Sequence, residues 1–393
     1  MKHITRTVWI LSLVSLFTDT ASEMLYPILP IYLKTIGFSV VLIGILEGVA
    51  EATAGISKGY FGKLSDLSAR RVPFVQLGYA FSAISKPMMA VFVYPLWIFF
   101  ARTLDRLGKG IRTGARDALL SDEATPRTKG TIFGFHRSMD TMGAVLGPAL
   151  ALVYLYFYPE DYVTLFFIAF IPGLLAVFAS FYLKDKKRTP ITKKVSTPLF
   201  SFLNYWKESP KAYRKLVIGL LLFTLFNSSD VFLLLKAKEA GLDDTMVIGV
   251  YIFYNLIYAI FAFPIGVLAD KVGLKTIFIM GLAMFALVYF GMSVNSSLYF
   301  FFGLFFLYGI YASATEGISK AWISNISEKK DTATAIGTFS GLQSICTMIA
   351  SSLTGFIWFQ FGATVAFITI GVMTVLVMVY FLTIPKPVRE GHI

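Results

Sequence analysis

Twelve long apolar segments, each ended by charged residues, glycine or proline, follow one another along the 393-residue chain. They lie at about 8–33, 39–61, 72–93, 95–118, 131–156, 162–183, 214–236, 245–268, 275–294, 297–320, 333–357 and 362–384. A helix needs about 20 apolar residues to cross a bilayer, so each segment is long enough to span a membrane. Only 15% of the residues are charged, against about 25% in soluble domains. The pattern predicts an all-α, multi-pass membrane protein.

Basic residues collect at one end of the predicted spans. That end carries Lys2, Arg6, Lys63, Arg70, Arg71, Arg112, Arg116, Arg127, Lys129 and the basic stretch 184–215, whereas the other end carries Lys34, Lys236 and Lys238. Connections rich in Lys and Arg remain in the cytoplasm, so we expect both termini there and place the chain in a bacterial cytoplasmic (inner) membrane. The same distribution explains the net charge of +12 without a nucleic-acid partner.

A polar stretch after the sixth span divides the chain. It contains Pro190, Pro198 and Pro210 and predicts three parts: an N-terminal six-helix bundle (1–183), a cytoplasmic linker (184–213) and a C-terminal six-helix bundle (214–393). The halves resemble each other, because Gly62-Lys-Leu-Ser-Asp66 recurs 204 residues later as Gly266-Val-Leu-Ala-Asp270. Repeated halves of this kind are typical of secondary transporters.

The two copies of this loop motif carry a family resemblance. Residues 62–71 and 266–275 follow the pattern Gly-x-Leu-Ala-Asp-Arg-x-Gly-Arg-Lys, the second more closely than the first, and in this the chain resembles the major facilitator superfamily. The resemblance implies twelve transmembrane helices in two pseudo-symmetric bundles. It also implies a conformational latch that holds the outward-facing state, with Asp66 against the start of span eleven and Asp270 against the start of span five. The latch residues are Gly62, Asp66, Arg70, Gly266, Asp270 and Lys271. The alternative is an ordinary charged turn.

Span five carries Gly143, Gly147 and Pro148, which are similar to a motif of the family's antiporters. As plain structure, the same residues predict close helix packing and a kink, and both interpretations can hold together. Arg102, 36 residues after Asp66, lies about where the family has a buried arginine implicated in proton handling.

Ionisable residues inside the predicted spans are the most informative feature. Each costs about 2.5–3.5 kcal/mol or more when it faces lipid, so we expect it to face a cavity or a partner. The candidates for proton coupling are Glu23, Asp19, Glu47, Glu51, Arg102 and Asp105. Counted with Asp140, Lys86, Arg106 and Arg137, six carboxylates meet four basic groups, which predicts uncompensated negative charge. The alternative is a set of internal salt bridges, and it competes most closely for Asp105 and Arg106.

The predicted substrate cavity combines charged residues of the first half with polar and aromatic residues of the second. Its candidates are Arg106, Arg137, Asp140, Asn227, Asp230, Tyr251, Asn255, Tyr308, Tyr311, Glu316 and Gln343. A cavity of this kind suits an amphiphilic organic molecule, with a cation as one candidate. For each aromatic residue, a position facing lipid or the membrane interface is the competing interpretation.

The sequence contains no motif for ATP binding, a cysteine cluster or a metal site. There is no Gly-xxxx-Gly-Lys-Ser/Thr loop for ATP, the single Cys346 forms no cluster, and His3, His136 and His392 have no metal-cage spacing. We interpret His136 as a solvated residue at a helix end. The predicted protein is a monomer, not an enzyme, and needs neither metal nor cofactor, since the proton gradient supplies the energy.

The predicted function is proton-coupled secondary transport by alternating access. Export of a small, drug-like amphiphilic molecule by H⁺ antiport is the leading interpretation, and proton-linked uptake of an organic solute such as a siderophore or metabolite is the alternative. A membrane enzyme or lipid scramblase would need a nucleophile, a metal cage or a polar groove, and a sensor would need an added soluble domain. Partners are therefore a small-molecule substrate and the lipid bilayer.

Overall fold

The computed structural model describes residues 3–186, 198–294 and 298–384. Within these ranges the regular structure is helical: α1 Arg6–Leu25, α2 Leu29–Thr35, α3 Val40–Leu67, α4 Val72–Val91, α5 Pro95–Asp122, α6 Lys129–Phe157, α7 Tyr162–Ser180, α8 Tyr205–Glu208, α9 Lys211–Thr224, α10 Val231–Glu239, α11 Asp244–Val272, α12 Leu274–Val294, α13 Leu298–Ile326 and α14 Thr332–Thr383. Lys2, His392 and residues 187–197 of the predicted linker lie outside the described residues.

These helices form the twelve predicted spans. Helices α3 to α7 are spans two to six, α11 to α13 are spans eight to ten, and α14 contains the last two, joined at Gly362 with φ of 85°. Seven of the described helices are individually long and apolar enough to cross a membrane. Helices α3 and α5 are not among them, and these two carry most of the ionisable residues of the candidate site.

Spans one and seven differ from the prediction, because each is broken into two helices. Span one stops at Leu25 and resumes at Leu29, across Pro27, which has no backbone N–H to donate. Span seven is interrupted between Thr224 and Val231, where Asn and Ser side chains compete for backbone hydrogen bonds. Both halves therefore begin with an interrupted span.

Helix α5 also runs farther than predicted, to Asp122. Arg112 and Arg116 were expected in the following connection, but they lie inside α5 and are buried, and Lys129 is buried in the first turn of α6. Burial is possible because the polar face of α5 meets hydrogen-bond acceptors on neighbouring helices. These three residues therefore do not belong to the solvated basic end.

The helices pack as two bundles that meet along two seams. In the first half α1 packs on α6 and α7, and α5 packs on α3 and α4; in the second half α13 packs on α11 and α12, and α14 on α12 and α9. The seams between the bundles are α6 with α11, and α3 with α14. We call the end with the connections 68–71 and 123–128 the linker side, and the end with 36–39 and 158–161 the far side.

The α3–α14 seam is closed at the linker side and opens toward the far side. A Cβ on Gly62 would lie 2.5 Å from the Ala333 carbonyl oxygen, and Gly337 has no room for one against Lys58. The contact continues at Gly55, where a Cβ would lie 3.1 Å from the Ser344 Cβ, and ends before Gly48 and Gly44, which have no atom within 4 Å of such a Cβ. On this last stretch the charged side chains of Glu47 and Glu51 are partly exposed. We call the space beside them the cleft; it is open to the far side, and its floor is near Gly55 and Lys58.

Candidate functional site

Two acid–base pairs join α3 to α5 along the cleft. The guanidinium of Arg102 donates to both carboxylate oxygens of Glu47, at 2.8 Å each, and Arg106 lies 3.2 Å from Glu51. Residues four apart share a helix face, so the two pairs form successive rungs between the helices. The Glu51 side chain remains 53% exposed. These pairs match the salt-bridge alternative for Glu47 and Glu51 more closely than a free carboxylate.

Asp105 lies behind these rungs as a buried hub. Its carboxylate is 3.3 Å from Arg102, 3.1 Å from Arg106 and 3.4 Å from Lys86, and the residue is only 4% exposed. One carboxylate surrounded by three cations serves to hold them in place. The structure therefore favours the internal salt-bridge interpretation of Asp105.

The next rung toward the linker side carries two lysines. Lys58 follows Glu51 by seven residues on α3, and Lys109 follows Arg106 by three on α5. The helices touch here, since a Cβ on Gly110 would lie 3.3 Å from the Lys58 amide nitrogen. The Lys58 ammonium donates to the Ser344 hydroxyl at 3.0 Å, whereas Lys109 is exposed. Among the described residues, neither lysine has a carboxylate within ion-pair distance.

Lys58 and Lys109 were missed by the sequence analysis. Their signal was present, because they continue the helical series of Glu47 and Glu51 on one helix and of Arg102 and Arg106 on the other. The two series predict that Lys58 lies beside Lys109 only if it is already known that α3 packs against α5.

A pair of carboxyl groups joins α1 to α6. The carboxyl groups of Asp19 and Asp140 are neighbours where Gly143 seats α6 against α1. Asp140 accepts from the Arg137 guanidinium at 2.6 Å and from the Ser15 hydroxyl. Two adjacent carboxyl groups at low dielectric favour a state in which one of them is protonated. The donors to Asp140 stabilise its ionised form, so we expect the proton on Asp19.

Glu23 lies one turn from Asp19 on the same face of α1. Its carboxylate accepts a hydrogen bond from the Tyr251 hydroxyl of α11, at 3.1 Å, across the boundary between the bundles. Within the described ranges, no basic side chain forms an ion pair with Glu23. Glu23 and Asp19 thus differ from Glu47 and Glu51, which α5 engages.

Arg137 connects the carboxyl pair to the second bundle. Its guanidinium donates to the Tyr258 hydroxyl of α11 and lies 3.8 Å from Glu316 of α13. A second bridge runs from Asp117 to Lys320 at 2.8 Å, and Asp117 also pairs with Arg116 at 2.9 Å. Arg116, Asp117 and Lys320 were absent from the predicted site.

His136 contradicts its predicted solvated position. It is only 4% exposed, and neither ring nitrogen has a hydrogen-bond partner among the described residues. The ring lines a small cavity with Arg116, Asp117, Glu316 and Lys320. The expectation was wrong because α5 and α13 pack against this end of α6 and cover the ring.

The expected surplus of negative charge is offset by further residues on the same helices. Helices α3 and α5 carry five more basic groups, Lys58, Lys63, Lys109, Arg112 and Arg116, and three more carboxylates, Asp66, Asp117 and Asp122. The sequence analysis had assigned the two arginines to a solvated connection. With these residues included, the basic groups and the carboxylates are equal in number.

In the second bundle, Asp230 at the break of span seven accepts hydrogen bonds from two tyrosines. Tyr308 donates at 2.6 Å and Tyr254 donates to the other carboxylate oxygen. The amide of Asn227 donates to the Tyr311 hydroxyl at 2.9 Å. Tyr308, Tyr311 and Tyr254 are all buried, so in this conformation they form an aromatic core rather than an open wall.

The other two predicted cavity residues lie apart from this core. Asn255 is buried and donates to the Tyr251 carbonyl oxygen one turn earlier, at 3.0 Å. Gln343 is half-buried on α14. Both lie on the helices that form the seams between the bundles.

Gly143 and Gly147 seat α6 directly on α1. A Cβ on Gly143 would lie 2.6 Å from the Leu16 carbonyl oxygen, and one on Gly147 would lie 2.6 Å from the Met24 amide nitrogen. Helix α6 continues through Pro148 to Phe157. This close approach brings Asp140 within reach of Asp19.

Asp66, the first predicted latch carboxylate, meets the start of span eleven. It accepts from the Thr334 amide at 2.7 Å and from its hydroxyl at 2.9 Å. The neighbouring cation is Arg71, at 2.9 Å and 0% exposed, and Arg71 also pairs with Asp122. The predicted partner Arg70 is exposed, so the adjacent arginine takes its place.

Asp270, the second predicted latch carboxylate, meets the start of span five. It accepts from the amides of Gly130 at 2.8 Å and Thr131 at 2.7 Å, and from the Thr131 hydroxyl at 2.6 Å. Helix N-termini favour negative charge in this way. Gly266 lies against Gly130 with no room for a side chain, and Lys271 is exposed.

Comparison with known families identifies the fold. A family model described as Major Facilitator Superfamily matches residues 11–253 and 216–393. The chain belongs to this superfamily. It is 32% identical over 381 residues to the "Uncharacterized MFS-type transporter MJ1317" of Methanocaldococcus jannaschii, across 94% of both chains. A shorter match, 26% over 148 residues, is to the "Uncharacterized MFS-type transporter YqjV" of Bacillus subtilis, across 37% of this chain and 36% of the relative.

Solved structures share the architecture at low sequence identity. The human organic anion transporter MFSD10 (TETRAN) aligns with a TM-score of 0.80 at 17% identity, across 96% of this chain and 99% of that one. The transporter FucP in its outward conformation aligns with a TM-score of 0.79 at 11% identity, across 98% and 100%. The predicted family and fold of two six-helix bundles are confirmed. As a member of the superfamily, the chain is a secondary transporter of the membrane and not an enzyme.

Proposed function

We propose that this major facilitator protein couples transport to protons and exports a small, drug-like amphiphilic molecule by H⁺ antiport. The observation that carries the proposal is the adjacent pair of carboxyl groups, Asp19 and Asp140, at the close approach of α1 and α6. Two carboxyl groups that share one proton form a site that can release it or accept another. Both residues were among the predicted site residues, Asp19 as a proton carrier and Asp140 in the cavity.

The pair is connected to both the cleft and the opposite bundle. Glu23, one turn from Asp19, is hydrogen-bonded to Tyr251, which gives protons a route toward the far side. Asp140 holds Arg137, and Arg137 contacts Tyr258 and Glu316 of the second bundle. A second proton on the pair weakens the hold of Asp140 on Arg137. The protonation state therefore acts on the contacts that join the bundles.

The alternating motion follows from the same contacts. We assign the linker side to the cytoplasm, so that the seam closed by Asp66 and Asp270 makes this conformation outward-facing. Both carboxylates bind helix N-termini of the opposite bundle, which supports their role as a latch. Rocking of the bundles about the midplane then opens the other side. We propose a monomer in the bacterial cytoplasmic membrane as the working unit.

Uptake together with a proton is the second candidate for direction. The observation that favours it is the pair of Lys58 and Lys109, which could bind an anionic substrate. Uptake of one proton with a monovalent anion moves no net charge across the membrane. A siderophore or an acidic metabolite would fit this mode.

Reconstitution into liposomes with an imposed pH gradient tests the proposal. Candidate solutes are screened while the internal pH is recorded, and we expect solute movement to carry protons in one direction. Asp19→Asn should lose uphill transport driven by the gradient but retain substrate exchange at equal pH. Glu23→Gln should slow the coupled step. Full gradient-driven transport by Asp19→Asn would remove the pair from the mechanism.

A matched control uses a carboxylate outside the site. Glu160 is exposed in the connection 158–161 on the far side, and Glu160→Gln should transport as the wild type does. If the wild type shows no solute-linked proton movement in either direction, the coupled-transporter proposal fails.

A further inference from the structure

The third rung between α3 and α5 differs from the first two. Those rungs each place a glutamate of α3 opposite an arginine of α5, at 2.8 Å and 3.2 Å. In the third rung Lys58 and Lys109 are neighbours, and two like charges at a helix crossing repel each other. Glu51 and Asp19 attract Lys109 from a longer distance, but no carboxylate of the described chain forms an ion pair with either lysine.

We propose that Lys58 and Lys109 bind the anionic group of the transported molecule, a carboxylate or a phosphate. The inference rests on the proposed transport function and names the chemistry of its substrate. It assigns an anionic group to the substrate, for which the sequence analysis had a cation as one candidate.

The protein's own carboxylates do not fill this position. Glu51, the nearest on α3, is held by Arg106 at 3.2 Å, and Asp117 is held by Arg116 and Lys320. Lys58 has one partner in the described chain, the hydroxyl of Ser344 at 3.0 Å, which is neutral. Glu51, Asp19 and Glu23 attract Lys109 only from beyond ion-pair distance. A ligand anion can therefore make the direct contact with both ammonium groups that these carboxylates do not make.

The position in the fold suits a substrate site. Immediately below Lys58, Gly59 and Gly62 lie against Gly337 and Ala333, where the seam is closed. Above it the helices are still in contact at Gly55, where a Cβ would lie 3.1 Å from the Ser344 Cβ, and the seam opens at Gly48. The two lysines thus lie near the floor of the cleft, where a substrate anion would bind before export to the far side or after entry from it.

The same position joins the two bundles. Lys58 belongs to the first bundle and its hydroxyl partner Ser344 to the second. An anion on Lys58 and Lys109 competes for this ammonium, so substrate binding would loosen a contact across the seam. This gives substrate occupancy a direct effect on the conformation, separate from that of the carboxyl pair.

The probe for this site is pyridoxal 5′-phosphate, which carries an amine-reactive aldehyde and a phosphate on one small ring. In the purified protein we expect the aldehyde to form an imine with Lys109 while the phosphate binds Lys58. Borohydride reduction fixes the adduct, and peptide mass spectrometry locates it. Labelling of Lys109 should exceed that by pyridoxal, which lacks the phosphate, by about tenfold, as a charge-assisted contact predicts.

Internal and mutant controls accompany the labelling. Lys34 is exposed on the far side and should react equally with both reagents. Lys58→Gln should abolish the preference at Lys109, and Lys58→Arg should retain it. Benzoate should protect Lys109 in the wild type, whereas benzyltrimethylammonium, a cation of similar shape that cannot form an imine with the reagent, should not.

Two results would overturn the proposal: equal labelling of Lys109 by both reagents, or a preference that survives Lys58→Gln. Failure of Lys109 to react at all would also overturn it, because the site must be open to the far side. Benzoate protection is measured on the unchanged protein, so the test remains decisive if Lys58→Gln folds poorly. The labelling needs no proton gradient, which separates its failure from failure of proton coupling.

Discussion

The two bundles neutralise their buried carboxylates in different ways. In the first bundle Asp105 is surrounded by Lys86, Arg102 and Arg106, and the pairs continue toward the cleft. In the second bundle Asp230 has no ion pair in the described part of the chain and accepts from Tyr254 and Tyr308 instead. One half is held by charge and the other by hydroxyl groups on an aromatic core.

This difference assigns the halves different tasks. Charges respond strongly to a proton or an ion that arrives nearby, because removal of one partner leaves the other unpaired at low dielectric. Tyrosine hydroxyls respond weakly, and the rings pack as rigid apolar bodies. We infer that the first bundle senses protons and substrate, while the second provides a stable surface for it to move against.

The largest expected effect comes from the charged hub. Asp105→Asn leaves buried Lys86 without an ion-pair partner among the described residues and removes one of the two carboxylates that bind Arg102 and Arg106. Loss of one partner from a buried ion pair costs about 3–5 kcal/mol. We expect a strong fall in the melting temperature of the purified protein, measured in detergent. A melting temperature close to that of the wild type would show that water or Glu47 already neutralises the hub.

The matched change in the second bundle should be much milder. In Asp230→Asn the amide oxygen still accepts from one tyrosine hydroxyl, and the amide NH2 can donate to the hydroxyl oxygen of the other, so we expect a loss of about 1 kcal/mol. The same melting experiment measures it. A loss as large as that of Asp105→Asn would contradict the proposed division between a charged and an aromatic half.

The two latch carboxylates allow a finer comparison. Asp66 pairs with buried Arg71 in addition to its bonds to Thr334, whereas the three recorded donors to Asp270 are all at the start of α6. Asp66→Asn should therefore shift the conformational equilibrium by about 1–2 kcal/mol, and Asp270→Asn by about half of that.

The shift is measured as a longer distance between the bundles, with spin labels on cysteines introduced at Ser68 and Lys330, both exposed at the linker side. Cys346, the only cysteine of the sequence, is replaced by Ser so that the labels attach only at these two positions. Equal shifts for Asp66→Asn and Asp270→Asn would show that Arg71 adds nothing to the latch.

Tyr251 connects the aromatic half to the charged half near the cleft. Tyr251→Phe keeps the ring and removes the hydroxyl that donates to Glu23 at 3.1 Å. One neutral hydrogen bond contributes about 0.5–1.5 kcal/mol, so we expect roughly a two- to tenfold change in the rate of proton-coupled transport. Wild-type rates across the pH range would exclude Tyr251 from the proton route.

The smallest effect belongs to the connection between α6 and α7. Asp161 accepts from the Tyr154 hydroxyl at 2.7 Å and from the Thr164 amide at 3.2 Å, and these bonds lower the pKa of its carboxyl group. A lowered pKa means that this contribution is complete above the ordinary pKa of aspartate and is lost only as the pH falls through the lowered value. Asp161→Ala should lower the melting temperature at pH 7 by roughly 1–2 °C. A large change in transport would be unexpected.

The sequence was sufficient for the features that depend on one helix at a time. The apolar segments predicted the twelve spans, and the paired Gly-xxx-Asp motifs led to the family. Glu47 and Glu51 could be placed on one face from their spacing alone. Each of these inferences needs only the period of a helix and the thickness of a bilayer.

The features that depend on which helices face each other could not be predicted. The Lys58–Lys109 rung requires that α3 crosses α5 at Gly110, and the pairing of Asp19 with Asp140 requires that Gly143 seats α6 on α1. The end of α5 was misplaced because buried Arg112 and Arg116 resemble a solvated loop until their acceptors are known. Charge alone does not distinguish the two environments.

The glycines along the seam between α3 and α14 indicate which surfaces approach each other during the transport cycle. Gly62 and Gly337 tolerate no side chain while the linker side is closed, whereas Gly44 and Gly48 have free space around them. When the protein turns over, the crowded end is released and the free end approaches its neighbour. Gly62→Ala should therefore disfavour the conformation with the linker side closed, and Gly48→Ala the conformation with the far side closed. Selection for growth on a transported solute would remove both substitutions, although only Gly62→Ala conflicts with the conformation described.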